Sequence, residues 1–277
     1  MRLATLRHDG CTRAARLEGE EYVLLPAEDV GALLRSGDWR ERARDQAGER
    51  VAVGAADHAP LVPHPNKIIC LGLNYASHIK ELGRAVPAYP TLFAKYDGAL
   101  IGARDEVVLP RASERVDWEA ELGFVVGAAA RHVPADEALR YVAGYTVVND
   151  VTARDWQRRT SEFLSGKTFE RTTPVGPVLV TPDEFGDPGA EPDLEIRCEV
   201  DGQVRQRSRT ADLLLGIAAI IAYVSDIITL LPGDLIATGT PGGVGDGRDP
   251  QVYLRPGQEL VTVIEGLGEL RNRCLAE

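Results

Sequence analysis

Cysteine is scarce in this 277-residue chain, and its four copies, Cys11, Cys70, Cys198 and Cys274, stand far apart with no C-x-x-C pair. That spacing argues against a zinc knuckle, a redox dithiol and a disulfide-dense scaffold, and leaves four reduced, mostly structural thiols. Positive charge is also in short supply: 31 Lys and Arg face 42 Asp and Glu, a formal charge of −11. Phosphate backbones and anionic membranes are gripped by Lys and Arg, so neither nucleic acid nor a membrane surface is expected as a partner. The start, MRLATLRHDG, has Arg2 and Arg7 but no continuous apolar stretch behind them. It does not read as a secretory signal, and the expected compartment is the cytosol. One apolar run, 213–231 (LLLGIAAIIAYVSDIITLL), approaches bilayer length, but Asp226 inside it would cost roughly 2.5–3.5 kcal/mol on insertion. A buried helix packed on a sheet and stopped by Pro232-Gly233 is the better reading. Neither G-x-S-x-G nor H-E-x-x-H occurs, which removes the anchors of serine-hydrolase and zinc-protease readings. The glycine-rich stretch 237–245 is not followed by G-K-[ST], so no nucleotide cofactor is expected.

With 44% hydrophobic and 26% charged residues, the remainder is ordinary globular sequence. Strand-like pieces RLATLR, TRAARL and YVLLP precede a helical pattern from Glu28 through LLRSGDWRERARDQ, a small α+β unit. In 55–65 (AADHAPLVPHP) three prolines favour an extended connection, so the chain divides into an N-terminal domain, 1–62, and a larger domain, 63–277. The larger part opens as strand, turn and short helix (KIICLGLNY, ASHIKELGRAV). Strand candidates follow: TLFAKY, EVVLP, WEAELGFVVG, GYTVVND, PVLVT, LEIRCEVDG, DLIATG and ELVTVIEG. They do not alternate with helices. The expected class is therefore α+β and β-rich, with a mixed or antiparallel core, in place of a TIM barrel or a doubly wound sheet.

Within WEAELGFVVG, Glu119 and Glu121 are two apart, so on a strand they share a face about 6.6 Å apart and can grip one cation. The plain alternative is an edge strand with both carboxylates in water. Asp150 closes the apolar run GYTVVND, where it could instead cap a helix before TARDWQ. Three carboxylates at strand positions make a hard oxygen site suited to Mg²⁺ or Mn²⁺, with Ca²⁺ also possible. His78 and Glu81 are i and i+3 neighbours on a helical turn, where the carboxylate can orient the imidazole as a general base or simply pair with it at the surface. Lys167, after Gly166, can reach a substrate carboxylate or a developing enolate, although most lysines are merely solvated. The stretch Ala237 to Gly245 could offer hydroxyls and backbone N–H groups to an anion. His8, His58, His64 and His132 lack an acidic-cluster context and read as structural or solvated.

In this order, LGLNYASHIKE, FAKYDGALIG, VDWEAELGFVVG, YTVVNDVTARDWQ, GKTFERTTPVGPVLVT and PGDLIATGTPGGVG resemble the fumarylacetoacetate hydrolase family, from about Lys67 to the C-terminal region. The resemblance implies a mixed β-sandwich roll with a metal site in its mouth, usually a homodimer, here preceded by a small N-terminal domain. Carried over by position, it implies metal ligands at Glu119, Glu121 and Asp150, a water-activating dyad at His78 and Glu81, and substrate contacts at Arg154, Gln157, Lys167 and Thr240. It also implies a lid near Ala76 to Tyr89. The expected substrate is a small keto acid and the expected reaction hydrolysis of a 2,4-dioxo acid, an acylpyruvate or fumarylpyruvate, to pyruvate and a carboxylic acid. The same family holds isomerases of 2-hydroxymuconate-like diacids, oxaloacetate decarboxylases and keto–enol tautomerases, which share an enolate. The polar stretch 244–250 is expected to be mobile and to shape the distal pocket.

Overall fold

The structure is a computed structural model that describes residues 1–81, 83 and 85–277. Leu82 and Arg84, which fall inside the helix-and-lid segment expected from the sequence, lie outside the described residues.

Two largely apolar segments become the strands Ala120–Val126 and Val142–Asn149, buried along their whole length. A strand that is apolar on both faces must be covered on both, and this pair lies at the centre of a twelve-stranded sheet. From one edge ten of its strands run Arg50–Ala52, Glu21–Leu24, Cys11–Glu18, Arg2–His8, Thr173–Val180, Val142–Asn149, Ala120–Val126, Leu235–Ala237, Ile68–Gly72 and Thr91–Ala94, while Asp57–His58 pairs with Arg2–His8 and Leu100–Ile101 with Thr173–Val180 off this path. Neighbours along this path are antiparallel except Leu235–Ala237 with Ile68–Gly72, which are parallel. The N-terminal strand Arg2–His8 pairs with Thr173–Val180 (Arg2 opposite Val180), so the chain on both sides of position 62 contributes to one sheet.

A five-stranded sheet, Gln203–Arg209, Glu195–Val200, Glu259–Ile264, Gly268–Ala276 and Val107–Leu109, packs on the first. Two hydrogen bonds tie the sheets beneath the site: the Asn149 Nδ2 donates to Thr262 Oγ1 at 2.9 Å, and the Ala120 N–H donates to Gln206 Oε1 at 2.9 Å. The β-rich α+β class expected from the sequence is the one observed. All eight strand candidates of the larger part contain a strand, while Gln203–Arg209 and Gly268–Ala276 were not foreseen.

Three local expectations need correction. The helical pattern after Glu28 is two helices, Val30–Leu34 and Trp39–Asp45, broken at Ser36-Gly37-Asp38; the Asp29 carboxylate caps the first by accepting the Ala32 N–H at 2.7 Å. The 213–231 run is helical only over Ile217–Ile227, and Pro232 does not end it. Ile228 is already extended, and Leu230 pairs with Ala130 instead. One face of that helix is buried and packs on the 3₁₀ segment Ala135–Tyr141, while Ile227 is exposed. The first part of the stretch 244–250 is pinned: Asp117 accepts the N–H groups of Gly245 (2.7 Å) and Asp246 (3.0 Å), and Val244 is fully buried, while Asp249 and Pro250 are exposed. Among the described residues no helix is long and apolar enough to cross a membrane.

Candidate active site

The strand Ala120–Val126 starts one residue later than the pair of glutamates requires, so Glu121 lies in it and Glu119 just before it. Hydrogen bonds hold Glu119 in place all the same. Its N–H donates to Asn149 Oδ1 (3.0 Å) and its carbonyl accepts the Asp150 N–H (2.8 Å). Asp150 directly follows Val142–Asn149 and caps no helix, since the next one, Arg154–Gln157, begins after Ala153. Ligand oxygens of Glu119, Glu121 and Asp150 all lie within 4.8 Å of one another, and all three residues are buried.

Such crowding of like charge is costly unless cations answer it. Lys167 Nζ bridges Glu119 Oε2 (2.6 Å) and Asp150 Oδ2 (2.7 Å). Lys95 Nζ donates to Asp150 Oδ1 at 2.5 Å, and Arg154 Nη1 meets Glu119 Oε1 at 2.6 Å. The Arg154 Nε donates to Asp117 Oδ2 at 2.8 Å, a carboxylate with no exposed surface. Four buried carboxyl groups (Asp117, Glu119, Glu121, Asp150) thus face three buried bases (Lys95, Arg154, Lys167), one acid more than the bases can pair. The unpaired acid is Glu121, which accepts the Gly239 N–H at 2.9 Å and has no ion pair among the described residues.

The electrostatics follow this arrangement. Burial, with the charges of Asp150 and Glu119, pushes the Glu121 carboxyl well above the usual range. Burial opposes ionisation of Glu119 too, but there Lys167, Arg154 and His78 outweigh it and hold the group at about 2. Burial would lower Lys167, yet Asp150 and Glu119 raise it above an ordinary lysine. A buried all-oxygen trio with one acid that no base pairs fits a hard divalent cation of the Mg²⁺ or Mn²⁺ kind, whose charge would favour the ionised Glu121 that burial opposes.

Above this floor opens a cavity of about 280 Å³, and six of the predicted residues line it: His78, Glu119, Arg154, Gln157, Lys167 and Thr240. Glu121 and Asp150 lie beneath, and Glu81 lies behind His78. His78 and Glu81 occupy the helix Ala76–Glu81, with Nδ1 3.4 Å from Glu81 Oε2. The two Glu81 oxygens also accept the Gly243 N–H at 3.0 and 3.1 Å. Gln157 Oε1 accepts from Arg154 Nη1 at 3.1 Å, and Thr240 Oγ1 donates to the Ala120 carbonyl at 2.9 Å. Lys167 ends the short helix Leu164–Lys167, where a Cβ on Gly166 would stand 2.5 Å from the Gln157 nitrogen; only glycine lets the two short helices approach so closely.

The segment 237–245 differs from expectation in one respect. Its N–H groups at Gly239, Gly243 and Gly245 serve the protein's own carboxylates Glu121, Glu81 and Asp117. Sequence reasoning passed over Lys95, Asp117 and Asp246, three buried charged residues. Lys95 lies within a stretch used for the family resemblance, but nothing local marks its burial. The remaining histidines do meet partners across the chain: His8 Glu49 (3.2 Å), His64 Asp97 (2.7 Å), His132 Asp226 (3.0 Å) and His58 the Tyr22 hydroxyl (3.0 Å). None of the four lines the cavity. No disulfide forms; Cys11 is exposed and the other three thiols are buried.

Residues 67–275 match the family described as fumarylacetoacetate (FAA) hydrolase C-terminal. Human oxaloacetate tautomerase FAHD2A, mitochondrial, is 45% identical over 216 residues, which cover 77% of this chain and 68% of that protein. Among solved structures, fumarylacetoacetate hydrolase from Exiguobacterium antarcticum superposes with a TM-score of 0.86 at 32% identity, covering all of both chains. 5-Carboxymethyl-2-hydroxymuconate delta-isomerase from Mycobacterium smegmatis does so with a TM-score of 0.82 at 32% identity, over 100% of this chain and 99% of its own. Related proteins thus carry names of three different reactions on one fold, and the sequence match spans the whole of the site. The chain belongs to the fumarylacetoacetate hydrolase family.

Proposed function

We propose that this chain is a divalent-metal-dependent tautomerase that interconverts the keto and enol forms of an oxaloacetate-type 2-oxo diacid. The observation that carries the reading is the buried trio Glu119, Glu121 and Asp150, with Glu121 paired by no base, under a small cavity walled by His78, Lys167 and Arg154. The names of its relatives support the choice among enolate chemistries. A cation held by the trio would supply positive charge that favours the enolate over the keto form.

The chain's own residues do the rest. Arg154 is buried and its Nη2 has no hydrogen-bond partner among the described residues, so it is the donor for the substrate's C1 carboxylate. Gln157, bonded to Arg154 Nη1, fixes that guanidinium plane. Glu81 holds the Nδ1 side of His78, which leaves Nε2 to take a proton from C3 and return it to the 2-oxygen. Lys167, kept charged by its two carboxylates, places an ammonium beside the oxygen where negative charge develops. Thr240 stays at the cavity wall, its hydroxyl committed to the Ala120 carbonyl.

Hydrolysis of a 2,4-dioxo acid, the reaction first implied by the resemblance, is the second reading. The His78–Glu81 pair favours it, because the same imidazole could take a proton from water. The deciding assay follows enol absorbance of oxaloacetate and pyruvate release from acetylpyruvate, both with magnesium. Faster enol exchange supports the tautomerase; pyruvate from acetylpyruvate without enol exchange replaces it with the hydrolase. Pyruvate from oxaloacetate without enol exchange assigns a decarboxylase. A homodimer is likewise proposed from the resemblance, and sedimentation velocity tests it.

A further inference from the structure

The cavity has two unlike ends, and the outer one has a residue with no role so far. Beyond Arg154 the helix Arg154–Gln157 closes at Arg158, whose N–H donates to the Arg154 carbonyl at 3.2 Å. Residues four apart on a helical turn are neighbours about 5–6 Å apart, so the two guanidinium groups rise from one face. They are held differently. Arg154 is buried and fully engaged on its inner side by Asp117 and Glu119. Arg158 is half exposed and lines the cavity together with Thr160 and Ser161.

Arg158 is also anchored, and its partner is a buried acid. One Nη2 proton is taken by Asp246, whose side chain is 2% exposed. Asp246 in turn accepts from the Tyr253 hydroxyl (2.9 Å) and the Gln251 amide (3.2 Å), and its own N–H donates to Asp117. The anchor therefore runs back to the carboxylate that positions Arg154, fixing the spacing between the two cations. The Nε and Nη1 of Arg158 have no protein acceptor among the described hydrogen bonds. A guanidinium held at one corner presents its remaining donors to a carboxylate at little entropic cost.

We propose that Arg158 receives the second carboxylate of the substrate and makes this site selective for short 2-oxo diacids over their monoacid counterparts. The inference rests on the functional reading above, in which Arg154 takes the C1 carboxylate; it adds the group that recognises the far end. Leu71, Phe93 and Phe163 in the cavity lining offer a carboxylate no donor side chain, whereas Thr160 and Ser161, close to Arg158 in sequence, add hydroxyls to its guanidinium.

The test is calorimetric binding of oxaloacetate and of 2-oxobutyrate, which replaces the second carboxylate by a methyl group, to the magnesium-loaded protein. Wild type is expected to prefer oxaloacetate by at least tenfold. Arg158→Gln should lose at least tenfold of that preference, and Arg158→Lys, which keeps the charge but not the fork, should recover part of it. The double variant Arg158→Gln with Asp246→Asn removes the ion pair as a unit and should show the same lost preference, separating recognition from the effect of an unpaired Asp246. Equal weakening of both ligands in Arg158→Gln, or an unchanged preference, overturns the inference and leaves the functional reading standing. Wild type that binds neither acid overturns the functional reading and the inference with it.

Discussion

Glu119, Glu121 and Asp150 sit in or directly against paired central strands, and two inter-sheet hydrogen bonds brace the backbone beside them. His78 and Glu81 sit on a six-residue helix tied to the 241–247 loop by two N–H groups, Gly242 to Ser77 Oγ at 3.2 Å and Gly243 to Glu81. The two regions meet in one cavity but resist displacement very differently. Carboxylates forced within 4.8 Å of one another push apart unless the backbone cannot yield, so an ion site belongs on the sheet. A proton-moving imidazole needs only direction, and a short helix with one anchored carboxylate supplies it.

Breaking the rigid side should cost most. Glu119→Ala removes a proposed metal ligand and the partner of both Lys167 and Arg154; turnover is expected to fall by at least ~10³-fold, with magnesium binding lost in calorimetry. The repulsion on that side can be read separately as stability. Magnesium at a hundred times its Kd should stabilise wild type by about 2.7 kcal/mol in denaturant titrations. Glu121→Gln should lose that gain, yet be more stable than wild type at neutral pH when both are metal-free, because an acid whose ionisation burial, Asp150 and Glu119 oppose has gone. A metal-free variant less stable than wild type would mean the trio is not strained.

The helix side should respond in rate with its metal affinity intact. For His78→Ala the expected loss of turnover is about 10²-fold, with magnesium Kd within twofold of wild type. Gly247→Ala probes the anchor alone: its Cβ would stand 2.5 Å from Glu81 Cδ, so Glu81 must shift off His78. A drop in kcat of about tenfold with KM little changed is expected, since small misplacements of catalytic groups are amplified in rate. If Gly247→Ala is silent, the loop does not position Glu81.

How far the sequence foretold this site depends on the distance over which each signal acts. Glu119 and Glu121 were legible because two residues at i and i+2 in extended chain report their own geometry, and His78 with Glu81 because a helical turn does the same. Lys167, after Gly166, and the hydroxyl-bearing stretch around Thr240 gave weak local signals, whereas Arg154 and Gln157 entered through family resemblance alone, since nothing local singles them out. Lys95 and Asp117 were missed because their roles are set by partners 55 and 37 positions away, Asp150 and Arg154. The 213–231 run was overread as helix because hydropathy alone does not distinguish a helix from a helix followed by an extended pairing with Ala130.

By itself the sequence determined a β-rich chain with acidic side chains at strand positions, because period-two patterning and spacing are properties of adjacent residues. Only the tertiary structure decided that four carboxylates and three cations share one buried floor, that the glycine loop donates to the protein's own acids, and that Arg158 is fixed at the rim. Those facts depend on which distant backbones meet, and burial turns their charges from solvated groups into an unbalanced cluster.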